Sequence, residues 1–177
     1  MSDKETAKKM LEEIYASAPS NVLKHQCLEL IHPAFDVEGM APGRIRIVNN
    51  RIESLDVTLE NGDSAIFLPG AFTIKFPAKS TNGRRDIQLT LDALTASSVM
   101  QLENVANYES RERIVAVIRE YSENNLDYPG RIDDRLTVIN PTVSGTQIQC
   151  SMVFKDTINK SIPSILYTLE SHPGLVE

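Results

Sequence analysis

The 177-residue sequence has no tryptophan and only five phenylalanines and five tyrosines. Adhesins that bind sugars use aromatic platforms or repeats, so this composition argues against a receptor-binding adhesin. The sequence also has only two cysteines, Cys27 and Cys150. Neither belongs to a CxxC pair. Because nothing in the sequence indicates an oxidising compartment, we expect two buried, reduced thiols rather than a disulfide.

Long apolar runs are also missing. No stretch approaches the roughly 20 apolar residues of a membrane helix, and the start MSDKETAKKM lacks the apolar core of a signal peptide. We therefore expect the chain to stay in the cytosol after synthesis, without membrane binding of its own. The net charge of −6 argues against a general nucleic-acid-binding protein, whose nonspecific affinity comes from Lys and Arg.

Signatures of catalysis and of cofactor binding are absent from the sequence. It contains no GxSxG, GxGxxG or GxxxxGK motif. The histidines are scattered at His25, His32 and His172. His25 and Cys27 share a strand face, but two ligands do not make a closed zinc site. The acidic pairs at 12–13 and 133–134 are typical of a solvated helix face and of a turn. We expect no enzyme and no cofactor.

Two segments show helical periodicity. Residues 1–21 form an N-terminal segment with an amphipathic helix, and residues 95–107 form a second helix. The apolar stripe of the first helix packs either on its own sheet or on a neighbouring subunit. Its candidate contact residues are Met10, Leu11, Ile14 and Tyr15.

Short alternating runs fill the rest of a β-rich core at residues 22–160. The fold class we predict is α+β, mainly β: an antiparallel β-sandwich or barrel with a flanking helix, in one domain spanning residues 1–177. Turn residues at Asn49 with Asn50, and at Asn61 with Gly62, predict hairpins. The predicted strands lie around residues 28–30 and at 45–48, 55–59, 64–68, 72–76, 87–91, 113–121, 136–139 and 147–154.

A cluster of cations follows one predicted strand in the segment KFPAKSTNGRRD. The purely structural interpretation is a solvent-exposed hairpin tip. The functional interpretation is an electrostatic contact with an acidic neighbour, which includes another copy of this acidic chain. The cations are Lys75, Lys79, Arg84 and Arg85.

The final segment, residues 161–177, combines helix-breaking residues with many apolar side chains. We expect an extended tail that docks, because a free tail rarely carries so many apolar residues. Docking in cis on its own sheet and docking in trans across a subunit boundary both remain open. Prolines and a glycine interrupt regular structure at Pro163, Pro173 and Gly174.

Three stretches together resemble a family of small tail-tip proteins of long-tailed phages, similar in role to the minor tail protein M of lambda. The first is the opening helix with its Pro segment, LEEIYASAPSNV, followed by LELIHPAF. The second is DIQLTLDAL, the second helix and the strand RERIVAVIREY. The third is the ending SIPSILYTLESHPGL, which carries the closing motif at Pro163, Tyr167, Thr168, Pro173, Gly174 and Leu175.

The resemblance implies a structural virion protein that forms a ring, usually sixfold, at the distal end of the tail tube. Its expected partners are copies of itself and the tail tube, tape-measure and hub proteins, and DNA passes through such a ring without being specifically bound. The expected site of synthesis is the host bacterial cytoplasm. Alternatives are a tail assembly chaperone or adaptor that leaves the virion, a tube-terminator protein, and a tip-associated cell-wall hydrolase.

Overall fold

The computed structural model describes residues 3–17, 22–49, 51–76, 86–92, 96–109, 112–145 and 147–154. Within these ranges it contains two helices and nine strands, which confirms the predicted mainly β fold class and both predicted helices. In chain order the elements are α1 (Asp3–Ser17), β1 (Lys24–Ile31), β2 (Arg44–Val48), β3 (Leu55–Thr58), β4 (Ser64–Pro69), β5 (Phe72–Lys75), β6 (Ile87–Asp92), α2 (Ala96–Ala106), β7 (Val115–Ser122), β8 (Arg131–Ser144) and β9 (Gln147–Phe154).

The nine strands form one sheet in the order β3-β4-β2-β1-β7-β8-β9-β6-β5. Strands β4 and β5 stand near opposite ends of this order, yet only Gly70 and Ala71 separate them in the chain. The backbone N–H of Gly70 donates to the carbonyl of Val48 at 3.1 Å, and the Asn49 side-chain amide donates to the carbonyl of Phe72 at 2.9 Å. The sheet therefore curls until its ends meet, as in a barrel.

The inner face of the curled sheet is apolar because successive side chains of a strand point to opposite faces. Every second residue of each barrel strand faces inward, and together these residues form one buried cluster. Full burial of each such side chain is worth about 1.5–3 kcal/mol, so this cluster is the main stabilising element. Its strand residues are Leu28, Leu30, Phe72, Ile87, Leu89, Ala116, Ile118, Leu136, Val138, Cys150 and Met152.

A second buried cluster lies on the outer face of the sheet. There the β3–β4 hairpin folds over β1 and β7, so that both faces of these central strands are covered. The sheet contributes Cys27, Val48 and Tyr121, and the hairpin contributes Leu55, Val57, Leu59, Ala65 and Phe67.

The helices lie at opposite ends of the barrel. At one end, Leu102 and Val105 of α2 pack against the inner cluster, and the Gln101 side chain makes two hydrogen bonds to the backbone of Asp36, at 2.9 and 2.6 Å. At the other end, the buried residues of α1 pack against Gly130, which precedes β8. We call this second end the α1 end; β1 and β8 begin there, and β7 and β9 finish there.

The structure corrects the predicted strand pairing at β2. The pair β2–β4 is parallel, whereas we predicted an antiparallel sheet throughout. Asn49 and Asn50 therefore do not connect a hairpin, because β2 pairs with β1 and β4 but not with β3. The hairpin at Gly62 does form. However, Thr58 pairs with Ser64, so its loop is residues 59–63 rather than a tight two-residue turn.

The structure also corrects the last hairpin. We predicted that residues 140–145 separate two strands, but β8 continues to Ser144 and includes Asp133 and Asp134, which we had placed in a turn. Asn140 adopts a positive φ of 50°, and the pairing with β9 shifts register between Ile139 and Thr142. This irregularity accommodates Pro141 inside a strand, because a residue at a bulge need not donate a ladder hydrogen bond.

Candidate functional sites

The predicted contact residues of α1 divide into two groups. Leu11 is buried against Gly130 of its own chain, and Ile14 is partly buried, so these side chains serve intramolecular packing. Met10 and Tyr15 are exposed. The hydroxyl of Tyr15 donates to the carboxylate of Glu120 at 2.5 Å, which fixes the end of α1 to β7.

The other predicted contact residues are mostly beyond the ranges that the structure describes. Lys75 is exposed at the end of β5, which pairs with β6 as the predicted hairpin requires. The remaining cations of the basic loop, Lys79, Arg84 and Arg85, lie outside the described residues. So do the tail residues Pro163, Tyr167, Thr168, Pro173, Gly174 and Leu175.

A network of charged side chains lies on the outer face of β1, β2 and β7. The carboxylate of Glu29 is fully buried; one oxygen accepts hydrogen bonds from Arg44 at 2.7 Å and Arg46 at 2.8 Å, and the other accepts from Arg119 at 2.8 Å. Arg119 also binds both carboxylate oxygens of Glu60, at 2.7 and 2.8 Å. We call these five residues the Glu29 network.

The electrostatics of this network keep its groups ionised. Burial alone would raise the pKa of Glu29, but hydrogen bonds from its three arginines lower the pKa to about 2. The hydrogen bond from Arg119 lowers the pKa of Glu60. Burial would lower the pKa of Arg119, but its bonds to Glu60 and Glu29 raise it. A carboxylate with a pKa this low is a weak general base at neutral pH, so the network acts through its charges.

The Glu29 network fastens the β3–β4 hairpin to the barrel. Glu60 belongs to the loop of this hairpin, while Glu29 and Arg119 belong to neighbouring barrel strands. A second link comes from the buried hydroxyl of Tyr121, which donates to the carbonyl of Thr58 at 3.0 Å; burial raises the pKa of this tyrosine. The hairpin is thus held by directed polar bonds as well as by apolar packing.

Sequence reasoning did not identify this network, although it left a trace. In the segment RIRIV, Arg44 and Arg46 alternate with isoleucines, which places both guanidinium groups on one strand face. Arg119 follows the apolar run IVAVI, in a strand predicted to be buried on both faces. An arginine at a position predicted to be buried requires a carboxylate partner. The position of Arg119 in this strand could therefore have indicated a buried ion pair.

Among the described residues, large apolar side chains are exposed at several places, and two surfaces hold several of them. The first, which we call the hairpin face, is the outward side of the β3–β4 hairpin with the residues before it; Ile52 is 96% exposed, Ile66 53% and Leu68 38%. The second, the α1-end face, surrounds the α1 end of the barrel. Its members are Met10, Tyr15, Leu23, Phe76 and Phe154.

The described histidines and cysteines, His25, His32, Cys27 and Cys150, are all buried. Within the described ranges, no three His, Cys, Asp or Glu side chains converge where they could hold a metal ion. His25 is buried and lies 3.4 Å from a guanidinium nitrogen of Arg51. Both cysteines are free thiols, as predicted; burial raises the pKa of Cys27 to about 12 and that of Cys150 to about 11. Neither of the described helices could span a membrane.

This geometry defines a small β-barrel protein with a helix at each end and a hairpin clamped to its side by buried ion pairs. The chain belongs to the family described as Domain of unknown function (DUF1833), whose model matches residues 9–167. No curated protein matches the chain.

Proposed function

We propose that this protein is a structural component of a phage tail, which forms a ring at the distal end of the tail tube and connects tube, tape measure and hub. The resemblance of three sequence stretches to small phage tail-tip proteins supports this proposal. The mainly β architecture with flanking helices also agrees with it. The observation that carries the proposal is the exposed hairpin face.

A subunit in a cyclic ring must bury two lateral surfaces against its neighbours. On the hairpin face, Ile66 and Leu68 project from β4 on the side opposite its buried residues Ala65 and Phe67. Ile52, which precedes β3, is also exposed. Because Ile66 and Leu68 are already partly buried, covering the remaining exposed surface of the three side chains contributes about 3–6 kcal/mol of gross transfer free energy. Much of this offsets the cost of association, so we expect a contact that is weak in one pair and stable in a closed ring.

The test is the single substitution Ile66→Glu, examined for incorporation into tails. A buried charge at this contact has no partner, so we expect a folded, soluble protein and a loss of complete tails. Val143→Glu is the matched control, because Val143 is a half-exposed apolar residue on the β8–β9 hairpin and away from the hairpin face. Normal tail yields with Ile66→Glu would contradict the proposed contact.

Mass spectrometry of purified particles tests the function itself. A ring subunit must be present in complete virions at several copies per tail. Absence of the protein from virions, combined with defective tails when it is removed from infected cells, would favour an assembly chaperone or adaptor.

A further inference from the structure

The α1-end face combines exposed aromatic rings with the site where the tail leaves the barrel. Phe76 follows β5 and is 45% exposed, and Phe154, the last residue of β9, is 47% exposed. Both continue rows of inward-facing residues, since Phe72 and Met152 in the same strands belong to the inner cluster. The apolar rows of the barrel interior therefore end in two half-exposed aromatic rings on this face.

Contacts across the end of the barrel make this face continuous. The guanidinium of Arg131, on β8, lies 5.0 Å from the ring centre of Phe76, although β9 and β6 separate β8 from β5 in the sheet. Gly130, next to Arg131, packs directly against Leu11 of α1. Tyr15, at the end of α1, also belongs to this face. The ammonium nitrogen of Lys24 lies over the Tyr15 ring, 4.5 Å from the ring centre.

The chain itself supplies an apolar segment of suitable length at this end. Six residues, KDTINK at 155–160, connect Phe154 to the apolar tail at 161–177. Six residues span at most about 20–22 Å, so the tail starts within about that distance of Phe154. The apolar residues of the tail are Ile162, Ile165, Leu166, Tyr167, Leu169, Leu175 and Val176.

We propose that residues 161–177 dock on the α1-end face of their own subunit. Docking in cis is favoured over docking in trans because a connection of only six residues gives an effective concentration of about millimolar. The residues of α1 and of the tail, for which the sequence left contacts within the subunit and contacts with a neighbour both open, then form one contact within the subunit. This inference does not depend on the proposed role in a phage tail.

Since the chain has no tryptophan, a single introduced tryptophan can report on this face. We would place the reporter with Phe76→Trp in the full-length chain, and release the tail with the double substitution Leu166→Asp and Leu169→Asp. In the intact chain, the emission should be at short wavelength and resist acrylamide quenching. In the released variant, it should shift to longer wavelength and quench more readily, while the circular dichroism spectrum is unchanged.

The matched control reporter is Val143→Trp, on the β8–β9 hairpin away from the α1 end, whose emission should not respond to release of the tail. Phe154→Trp is a second reporter on the same face and should behave like Phe76→Trp. Adding a peptide of residues 161–177 to the released variant should restore the short-wavelength emission. Identical emission from intact and released chains with both reporters would overturn the proposal.

Dilution shows whether the docked tail belongs to the same subunit or to another copy of the chain. Docking in cis predicts emission and quenching that stay constant as the protein is diluted well below micromolar. A shift of the intact chain to longer wavelength on dilution, accompanied by dissociation in sedimentation velocity, would show that the tail is exchanged between copies and would overturn docking in cis.

Discussion

Replacing Glu29 by glutamine removes the charge at the centre of the Glu29 network while preserving its shape. Arg44 and Arg46 would then lose their ion pairs with Glu29, and Arg119 would keep its ion pair with Glu60. Removing one partner from a buried ion pair typically costs about 3–5 kcal/mol. The lowering of the Glu29 pKa from 4.5 to about 2 gives a similar value, about 3 kcal/mol. Either figure is a large fraction of the stability of an ordinary domain.

The same reasoning predicts a pH dependence with a defined sign. The pKa of Glu29 is lower in the folded state than its ordinary value, so the unfolded state binds the proton more readily. The stabilisation is therefore fully present above pH 4.5 and is lost as the pH falls towards 2. Wild-type protein should lose about 3 kcal/mol more stability over this window than Glu29→Gln does, because the variant has no proton to bind at this site.

Urea denaturation followed by circular dichroism, at neutral pH and at several acidic values, measures both effects. Glu12→Gln is the matched control, since Glu12 forms only an exposed ion pair with Lys8, and its unfolding free energy should stay within about 0.5 kcal/mol of wild type. A Glu29→Gln protein that is as stable as this control at neutral pH would refute the role assigned to the network.

Three further predictions concern other parts of the molecule. Gly130→Ala places a Cβ atom 2.8 Å from a backbone oxygen of α1, so it should destabilise the protein by about 1–3 kcal/mol and expose α1 to limited proteolysis. Cys27 and Cys150 should react with a thiol reagent only after urea unfolding, since burial raises both pKa values; rapid reaction of the native protein would contradict this. The double substitution Arg84→Glu and Arg85→Glu should block tail assembly without unfolding the subunit, whereas normal tail yields would remove the basic loop from consideration.

Gly62→Ala is a control for the glycine prediction. Its added Cβ meets nothing within 4 Å, although the positive φ of 88° makes the substitution strained. We therefore expect some loss of stability with no change in the proteolysis of α1. This comparison separates displacement of the helix from a general loss of folding.

Local features of the fold could be predicted from the sequence, but strand pairing could not. Alternation predicts strands such as β5 and β6 because side-chain direction depends only on the neighbouring residues. The partners of a strand depend on the whole chain. β1 lies between β2 and β7, and no local signal near Leu28 indicates that Ile118 will stand beside it. The parallel pair β2–β4 was missed for the same reason.

The charged network was beyond prediction for a related reason. The sequence shows Arg46 on one face of a strand, but a strand face can equally be exposed to water. Only the folding of the β3–β4 hairpin over β1 and β7 buries Glu29 and brings Glu60 to Arg119. Burial of these charges depends on the tertiary structure. The alternation of residues within one strand does not indicate which other segment will cover that strand.

The position of β1 between β2 and β7 has a consequence for the order of events during synthesis. Glu29 and Arg119 are 90 residues apart in the chain, so one side of β1 stays without its partner until most of the protein has left the ribosome. Closing such a long loop is slow, because the chain loses conformational entropy before the contact between the two strands stabilises it. We therefore expect the β3–β4 hairpin to form first, with the barrel closing only after β7 and the later strands β8 and β9 emerge.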